Sequence, residues 1–341
     1  MKRIDSLDYL RGLSAFGIMM AHYLAWSSGS IFMADTFMGR ITIYAVAIFY
    51  MLSGIALYHV YYDTIQPSKT DVLLFARKRI FRIFPLLWFT IIAALLLSRK
   101  VPNPLDLFLN LSGLFGFFKW EVTFSAGIWS IGNELVFYCC FPFFVWFTKS
   151  HKSWMILLAT VIFGLYLYFA FIVITPGKSL DDQWRNYTNP LNQLFLFLIG
   201  FLTGLFFHTV KIKNAVTSAI LLCGLALLIF YPACGDPVIL VTGFNRLVFT
   251  FFIFLICLGF YKMTFDLPGI IHKPLKLIGD ASYSLYLLHP LIYFSLGLAA
   301  GEYLANWNHL LRFLFLLVLT LAVSFLMYRY FERYFTKKGA V

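Results

Sequence analysis

Long apolar stretches recur along the whole chain, and a helix needs about 20 such residues to cross a bilayer. In lipid the backbone must satisfy its own hydrogen bonds, so stretches of this kind fold as helices. The sequence therefore predicts an all-α polytopic membrane protein with about ten transmembrane helices. The stretches lie at 7–26, 41–61, 80–98, 128–148, 154–174, 191–210, 215–231, 243–262, 277–297 and 310–331.

Composition excludes most other classes of protein. Hydrophobic residues make up 61% of the chain and charged residues 12%, against about 45–50% and about 25% in a soluble domain. A soluble enzyme, a disordered chain and a nucleic-acid-binding domain are excluded on this ground. An outer-membrane barrel is excluded as well, because its short alternating strands give a weaker hydropathy signal.

One further apolar piece, at 105–118, is too short to span a membrane. It follows Pro102 and Pro104 and contains two glycines, so we interpret it as a re-entrant or interfacial segment. No Ser/Gly-rich linker, repeat or charge block marks a soluble domain, and we expect residues 1–341 to form a single transmembrane domain.

Lysine and arginine residues predict the orientation of the spans. With a cytoplasmic N-terminus, 19 of the 27 basic residues lie in cytoplasmic segments, the excess that membrane proteins carry on that side. We therefore predict that both termini are cytoplasmic. The asymmetry also accounts for the net charge of +12 without a nucleic-acid partner. The eight basic residues outside are Arg40, Arg99, Lys100, Lys119, Lys178, Arg185, Arg246 and Arg312.

The first span carries two ionisable side chains, Arg11 and His22, whose burial in a bilayer costs free energy. Their separation of eleven residues places them on one helix face, about 16 Å apart along the axis. Asp8 precedes Arg11 by three residues and can pair with it. The alternative is structural: Arg11 reaches lipid phosphates and His22 caps a neighbouring helix.

The third span opens with Lys78, Arg79 and Arg82. The two arginines are three residues apart and share a face, and a pair of guanidinium groups suits phosphate. On charge alone, anchoring at the cytoplasmic surface is the simpler interpretation.

Glu134 lies in the outer half of the fourth span, at a depth comparable to that of His22, just after Trp129 and Ser130. A carboxylate there can orient an imidazole, or it can simply bond a Tyr or Trp between helices. In the second span, Ser53 and Gly54 form a small pair where helices can approach closely.

The ninth span places Ser282, Tyr286 and His289 in one polar stripe. Pro290 frees a backbone carbonyl beside His289. We interpret this stripe as a polar seam that holds helices together. The chain has no Walker loop, HExxH or GxSxG motif, and no CxxC among its five cysteines. ATP-driven transport, metalloprotease, serine-hydrolase and metal-site interpretations therefore lack support.

Taken in order, these motifs resemble the acyltransferase-3 family of membrane acyltransferases. The resemblance extends from Leu7 to about Glu332, nearly the whole chain. Asn133-Glu134-Leu135 is more similar to stand-alone saccharide O-acetyltransferases than to forms with a fused hydrolase-like domain. The matching pieces are Arg11 with His22, Phe49 to Gly54, Arg79 and Arg82 with Pro85, Trp129-Ser130 with Glu134, Tyr138 and Pro142, Ser282 to Pro290, and Phe331-Glu332-Arg333.

The resemblance implies transfer of an acyl group, usually acetyl, from cytoplasmic acyl-CoA to a saccharide hydroxyl at the bacterial inner membrane. It implies no bound cofactor and no metal; the partners would be acetyl-CoA, a saccharide or lipid-linked acceptor such as an O-antigen unit, and membrane lipid. Arg11 and His22 would be essential, with Glu134 beside them, and Arg79, Arg82 and Lys78 would bind the donor. Supporting roles would fall to Asp8, Ser53, Trp129, Ser282, Tyr286, His289 and Glu332.

His22 suits the part of general base, because a neutral imidazole is the usual proton acceptor near neutral pH. A covalent acyl-histidine step remains open. Two other functions also remain open: a transporter or flippase of lipid-linked sugar, and acylation of a small molecule or peptide.

Overall fold

The computed structural model describes residues 4–66, 68–264 and 266–340, and every regular element in these ranges is helical. Short π-helical turns extend α7 through 169–173 and α14 through 327–332. The helices are α1 (Asp5–Ser28), α2 (Phe37–Tyr61), α3 (Lys69–Ser98), α4 (Pro104–Ser112), α5 (Phe115–Phe118), α6 (Ile128–Ser150), α7 (Lys152–Tyr168), α8 (Trp184–Tyr187), α9 (Pro190–Phe207), α10 (Asn214–Phe230), α11 (Gly243–Lys262), α12 (Gly269–Asp280), α13 (Ser282–Ala305), α14 (His309–Leu326) and α15 (Arg333–Ala340).

Eight helical stretches in the described part of the chain are long and apolar enough to cross a membrane: α2, α3, α6, α7, α9, α11, α13 and the continuous helix that begins with α14. The all-α membrane architecture is thereby confirmed. The two remaining predicted spans are α1, whose first two turns carry Asp5, Asp8 and Arg11, and α10, which has only 17 residues. A count of ten spans stays a prediction.

Residues 104–118 fold as two short helices, α4 and α5, neither long enough to span. Gly113, in the left-handed conformation with φ 76°, turns the chain between them. Trp88 on α3 donates a hydrogen bond from Nε1 to the Leu111 carbonyl at 2.7 Å. Trp88 precedes the end of α3 by ten residues, about 15 Å of helix. The segment therefore dips into the bundle and returns, as a re-entrant segment does.

Glycines let two pairs of helices touch backbone to backbone. A Cβ on Gly54 would lie 2.3 Å from the Phe197 carbonyl oxygen, and one on Gly200 would lie 2.0 Å from that of Met51. On the other side, a Cβ on Gly12 would lie 2.6 Å from the Gly279 nitrogen. Small residues at helix crossings serve this purpose in membranes, and the close approach predicted at Gly54 is confirmed.

The bundle has two ends, which we call the basic face and the opposite face. At the basic face α1 begins and α2 ends, and Lys276 on α12 pairs with Asp5 at 2.5 Å and with Asp8 at 2.9 Å. At the opposite face, buried Arg40 donates to four backbone carbonyls. Three of these carbonyls lie at the C-terminal end of α10. The positive charge of Arg40 therefore also lies at the negative end of that helix's dipole.

Candidate active site

Side chains from five parts of the chain meet around an internal cavity of about 210 Å³, which we call the central cavity. Arg11 comes from α1, Ser53 from α2, the two arginines of the third span from α3, Glu134 from α6, and Tyr286 from α13. The structure thus brings together most of the polar residues that the sequence singled out. The predicted site residues that line the central cavity are Arg11, Ser53, Arg79, Arg82, Glu134, Ser282 and Tyr286.

The carboxylate of Glu134 is bound within this cavity. Its Oε1 accepts hydrogen bonds from Ser53 Oγ at 2.6 Å and from the Tyr138 hydroxyl at 2.5 Å. The expectation that Glu134 orients the His22 ring is therefore not what the structure shows, because the hydrogen-bond partner of His22 is His289. Ser53 of α2 and Tyr138 of α6 instead hold Glu134 inside the cavity that the arginines also line.

A second cavity of about 650 Å³, the basic vestibule, lies at the basic face. It shares Arg11, Arg79 and Arg82 with the central cavity, so these three guanidinium groups stand where the two spaces meet. Arg333 and Lys337 of α15 add positive charge to its wall. Lys78, predicted as a further donor-binding residue, lines neither of these two cavities.

Each arginine at the junction is held by specific partners. Arg79 donates to the Tyr61 hydroxyl at 2.9 Å, and its guanidinium lies 5.2 Å from the centre of that ring. Arg82 forms an ion pair with Glu332, a buried carboxylate that also accepts a hydrogen bond from Ser284 at 2.8 Å. Fixed guanidinium groups of this kind suit phosphate or carboxylate ligands.

Arg11 is held in the same way. Its Nη1 lies 3.2 Å from Asp8 Oδ1, which confirms the predicted pairing of these two residues on one helix face. Asp8 is itself buried and also binds Lys276, so it links α1 to α12. The polar head of Arg11 is thereby turned toward the junction of the two cavities.

His22 and His289 form a hydrogen-bonded pair between α1 and α13, with His22 Nδ1 2.9 Å from His289 Nε2. His289 is fully buried, and its Nδ1 lies 3.1 Å from the Leu285 carbonyl oxygen. A carbonyl only accepts, so His289 Nδ1 carries a proton. No acidic side chain among the described residues bonds to this ring, so we assign it the neutral form, since burying an unpaired charge is costly.

The protonation of His289 fixes the tautomer of His22. In the neutral ring His289 Nε2 can only accept, so His22 Nδ1 must donate. His22 Nε2 then has a free lone pair, and no described residue hydrogen-bonds to it. This is the arrangement that a general base requires.

Surrounding groups hold the pair rigid. Tyr23 donates to the His289 carbonyl at 3.0 Å and is hydrogen-bonded to Thr320 at 2.7 Å. Trp26 stacks on His22 with ring centres 4.9 Å apart. Tyr23 and Trp26 lie one and four residues after His22, but nothing in their spacing distinguished them from ordinary aromatic residues of a span.

On the other side of His22 lies a cavity of about 620 Å³ toward the opposite face, the outer cavity. A smaller space of about 190 Å³ adjoins it and shares His22, Trp129 and Trp184. Tyr286 lines both this smaller space and the central cavity, and its hydroxyl is 2.8 Å from Ser130 Oγ. The spaces thus follow one another through the bundle, from the arginines to His22.

The described residues contain no group of three or more His, Cys, Asp or Glu side chains able to hold a metal ion. The polar side chains of the site include arginines at one end, a histidine pair at the other and the carboxylate of Glu134.

The family model for the acyltransferase domain, Acyl_transf_3, matches residues 4–329 of this sequence. The chain belongs to the acyltransferase-3 family. The match contains nearly every site residue described above, including both histidines and the three arginines at the junction. Family membership supports acyltransferase activity for this chain and an acyl donor as co-substrate.

Curated relatives agree with this assignment. The chain is 24% identical over 370 residues to the O-acetyltransferase OatA of Staphylococcus aureus, in strains NCTC 8325 / PS 47, COL and MRSA252. The alignment covers 98% of this chain and 58% of the relative, so the chain spans little more than half the length of those proteins. No solved structure matches the chain significantly.

Proposed function

We propose that this protein transfers an acetyl group from cytoplasmic acetyl-CoA to a hydroxyl of an extracytoplasmic or lipid-linked saccharide. The observation that carries the proposal is the series of cavities that leads from three arginines to an unpartnered imidazole nitrogen, His22 Nε2. The name of the O-acetyltransferase relatives supports acetyl as the group and oxygen as its acceptor.

The donor would bind from the basic vestibule. Coenzyme A carries several phosphates, and Arg79 and Arg82 present fixed guanidinium groups to that space. The pantetheine arm would extend into the central cavity, where Arg11 and Glu134 position it. The distance from Arg11 to His22 along α1, about 16 Å, is one that an extended thioester arm can cover.

Transfer then needs one proton to move. His22 Nε2 takes the proton from the acceptor hydroxyl, and the hydroxyl oxygen forms a bond to the thioester carbonyl carbon. The carbon–sulfur bond breaks, and the thiolate of coenzyme A leaves and takes up the proton. His289 holds His22 in the required tautomer. Direct transfer needs no second nucleophile, so we prefer it to an acyl-histidine intermediate.

The distribution of basic residues supports an orientation in the membrane. The basic face would lie in the cytoplasm of a bacterial cell, with the protein in the inner membrane and acetyl-CoA on that side. His22 and the outer cavity would then be reached from the extracytoplasmic side. Donor and acceptor would meet from opposite sides of one bilayer.

Replacing Arg79 with alanine should raise the KM for acetyl-CoA about tenfold or more, because a hydrogen bond to a charged group is worth about 1.5–3 kcal/mol. The KM for the acceptor should stay unchanged. Arg77→Ala on the same helix is the matched control. Arg77 is exposed and lines neither the central cavity nor the basic vestibule, and the substitution removes the same charge two residues away. Equal effects of the two substitutions would assign Arg79 to general surface charge.

Sealed vesicles test the proposed function as a whole. In inside-out vesicles, acetyl-CoA labelled in the acetyl group and added outside should label an acceptor trapped in the lumen. In right-side-out vesicles, external acetyl-CoA should label nothing, because its phosphates do not reach the arginines. Labelling in the reverse arrangement would contradict the orientation, and movement of a lipid-linked sugar without any acetylated product would favour a flippase.

A further inference from the structure

The outer cavity is large, and polar and aromatic side chains line one of its walls. Its volume of about 620 Å³ falls in the usual range of small-molecule sites, about 300–1,000 Å³. The wall is formed by the loop before α6, by the start of α6 and by α8, a short helix in the loop between α7 and α9. His22, Glu121, Trp129 and Trp184 all line it, which places an acid and two indoles around the proposed base.

Several polar atoms of this wall lack partners. Glu121 Oε2 is shielded from solvent and has no hydrogen-bond partner in the described chain. Trp88 and Trp120 donate from Nε1 to backbone carbonyls, whereas the indole N–H groups of Trp129 and Trp184 reach no acceptor among the described residues. A shielded polar group without a partner is costly, so Glu121 Oε2 is suited to a ligand that donates a hydrogen bond. The two indole N–H groups are available to a ligand that accepts one.

The two sides of the wall are tied together. Glu121 Oε1 pairs with Arg185 Nε at 3.3 Å, and Trp120 Nε1 donates to the Arg185 carbonyl at 2.7 Å. Trp129 and Trp184 pack edge to face, with ring centres 5.5 Å apart. The acid and the indoles are therefore held in place before any ligand arrives, which lowers the entropic cost of binding.

We infer that the outer cavity binds a pyranose ring of the acceptor, with Trp129 and Trp184 as its aromatic wall and Glu121 as its hydrogen-bonding carboxylate. The inference rests on the proposed function and deepens it by naming the acceptor subsite. A pyranose has an apolar face of C–H groups that packs on aromatic rings. Its hydroxyls donate to a carboxylate and accept from indole N–H groups, and one of them would face His22 Nε2.

The opposite rim of the cavity is apolar. Phe294 and Leu298 of α13 line it and are 49% and 70% exposed on the bundle surface. In a bilayer that exposure is toward lipid chains. The pyranose can therefore belong to a lipid-linked saccharide that enters along this rim, or to a polymer that arrives from the aqueous side. In both cases Glu121 and the two indoles would recognise the same sugar ring.

Ligand-observed NMR on the full-length protein in lipid nanodiscs tests the subsite without any need for turnover. The probes are a panel of methyl hexopyranosides, the matching decyl hexopyranosides, and mannitol as an open-chain polyol. We expect saturable binding of at least one pyranoside and none of mannitol. Tighter binding of the decyl compounds, lost on Leu298→Ser, would assign the acceptor to a lipid-linked saccharide; equal affinities would assign it to a polymer.

Two variants and two matched controls locate the binding. Glu121→Gln should weaken pyranoside binding about ten- to a hundredfold, the effect of losing a charged hydrogen-bond partner, and Trp184→Leu should abolish it. Asp182→Asn, an exposed acid near α8, and Trp154→Leu, an exposed indole on α7, should leave it unchanged. Unchanged acetyl-CoA binding in each variant would verify folding.

The outcomes separate the two proposals. Absence of pyranoside binding, or binding that Glu121→Gln and Trp184→Leu leave intact, overturns the acceptor subsite. Acetyl-CoA turnover by the wild-type protein is measured in parallel with the same compounds. The wild-type protein could bind pyranosides at the outer cavity and yet neither acetylate the sugar nor hydrolyse acetyl-CoA. That result would uphold the subsite and overturn the proposed acetyl transfer.

Discussion

His22→Ala should reduce acetyl transfer by about 10²–10⁴, the usual contribution of a general base. The structural reason is that His22 Nε2 is the imidazole nitrogen of the histidine pair left without a partner among the described residues, and His22 lines the outer cavity, the proposed acceptor site. The loss should appear in kcat and not in the KM for acetyl-CoA, since the arginines proposed to bind the donor line other cavities. Steady-state transfer by purified protein in nanodiscs measures it, with acetyl-CoA binding as the check on folding.

The matched control for this substitution is His151→Ala. His151 is an exposed histidine at the junction of α6 and α7 and lines none of the cavities described above. Its variant should transfer acetyl groups at the wild-type rate. A His22→Ala protein with near-normal transfer would remove His22 from the mechanism.

Helix positions were largely predictable because each depends on local composition. The stretch predicted at 243–262 is α11 with the same bounds, and the short segment at 105–118 does not span. The meeting of Arg79 and Arg82 at one cavity was predictable too, since they are neighbours on one helix turn. Their part in donor binding stays a prediction. Asp8 and Arg11 paired as their spacing indicated.

The partner of His22 was not predictable in the same way. His289 lies 267 residues away, and its spacing from Tyr286 and Ser282 equally fits a seam between helices. Only the packing of α1 against α13 brings the rings together. Glu121 and Trp184 lie outside the spans, where no hydrophobic periodicity marks a position as facing a cavity. Sequence periodicity therefore located the polar faces but not the contacts between them.

The last prediction concerns His289, which we assign as a positioning residue. His289→Leu removes the acceptor for His22 Nδ1–H, so the His22 ring can adopt the tautomer with its proton on Nε2. In serine proteases the wrong tautomer of the catalytic histidine costs about 10⁴ in rate. We expect a loss of about 10²–10³ in kcat with an unchanged KM for acetyl-CoA.

Two amide variants separate positioning from packing. In His289→Gln the side-chain amide oxygen reaches the place of Nε2 and can accept from His22, so the rate should recover at least about tenfold over His289→Leu. His289→Asn is shorter and places its amide near Nδ1, beside the Leu285 carbonyl, where it cannot reach His22. A purely structural seam would predict equal activity for the two amides, because both lose the imidazole and both fill less of the space between α1 and α13. If glutamine restores the rate and asparagine does not, then His22 needs a hydrogen-bond acceptor at the position of His289 Nε2.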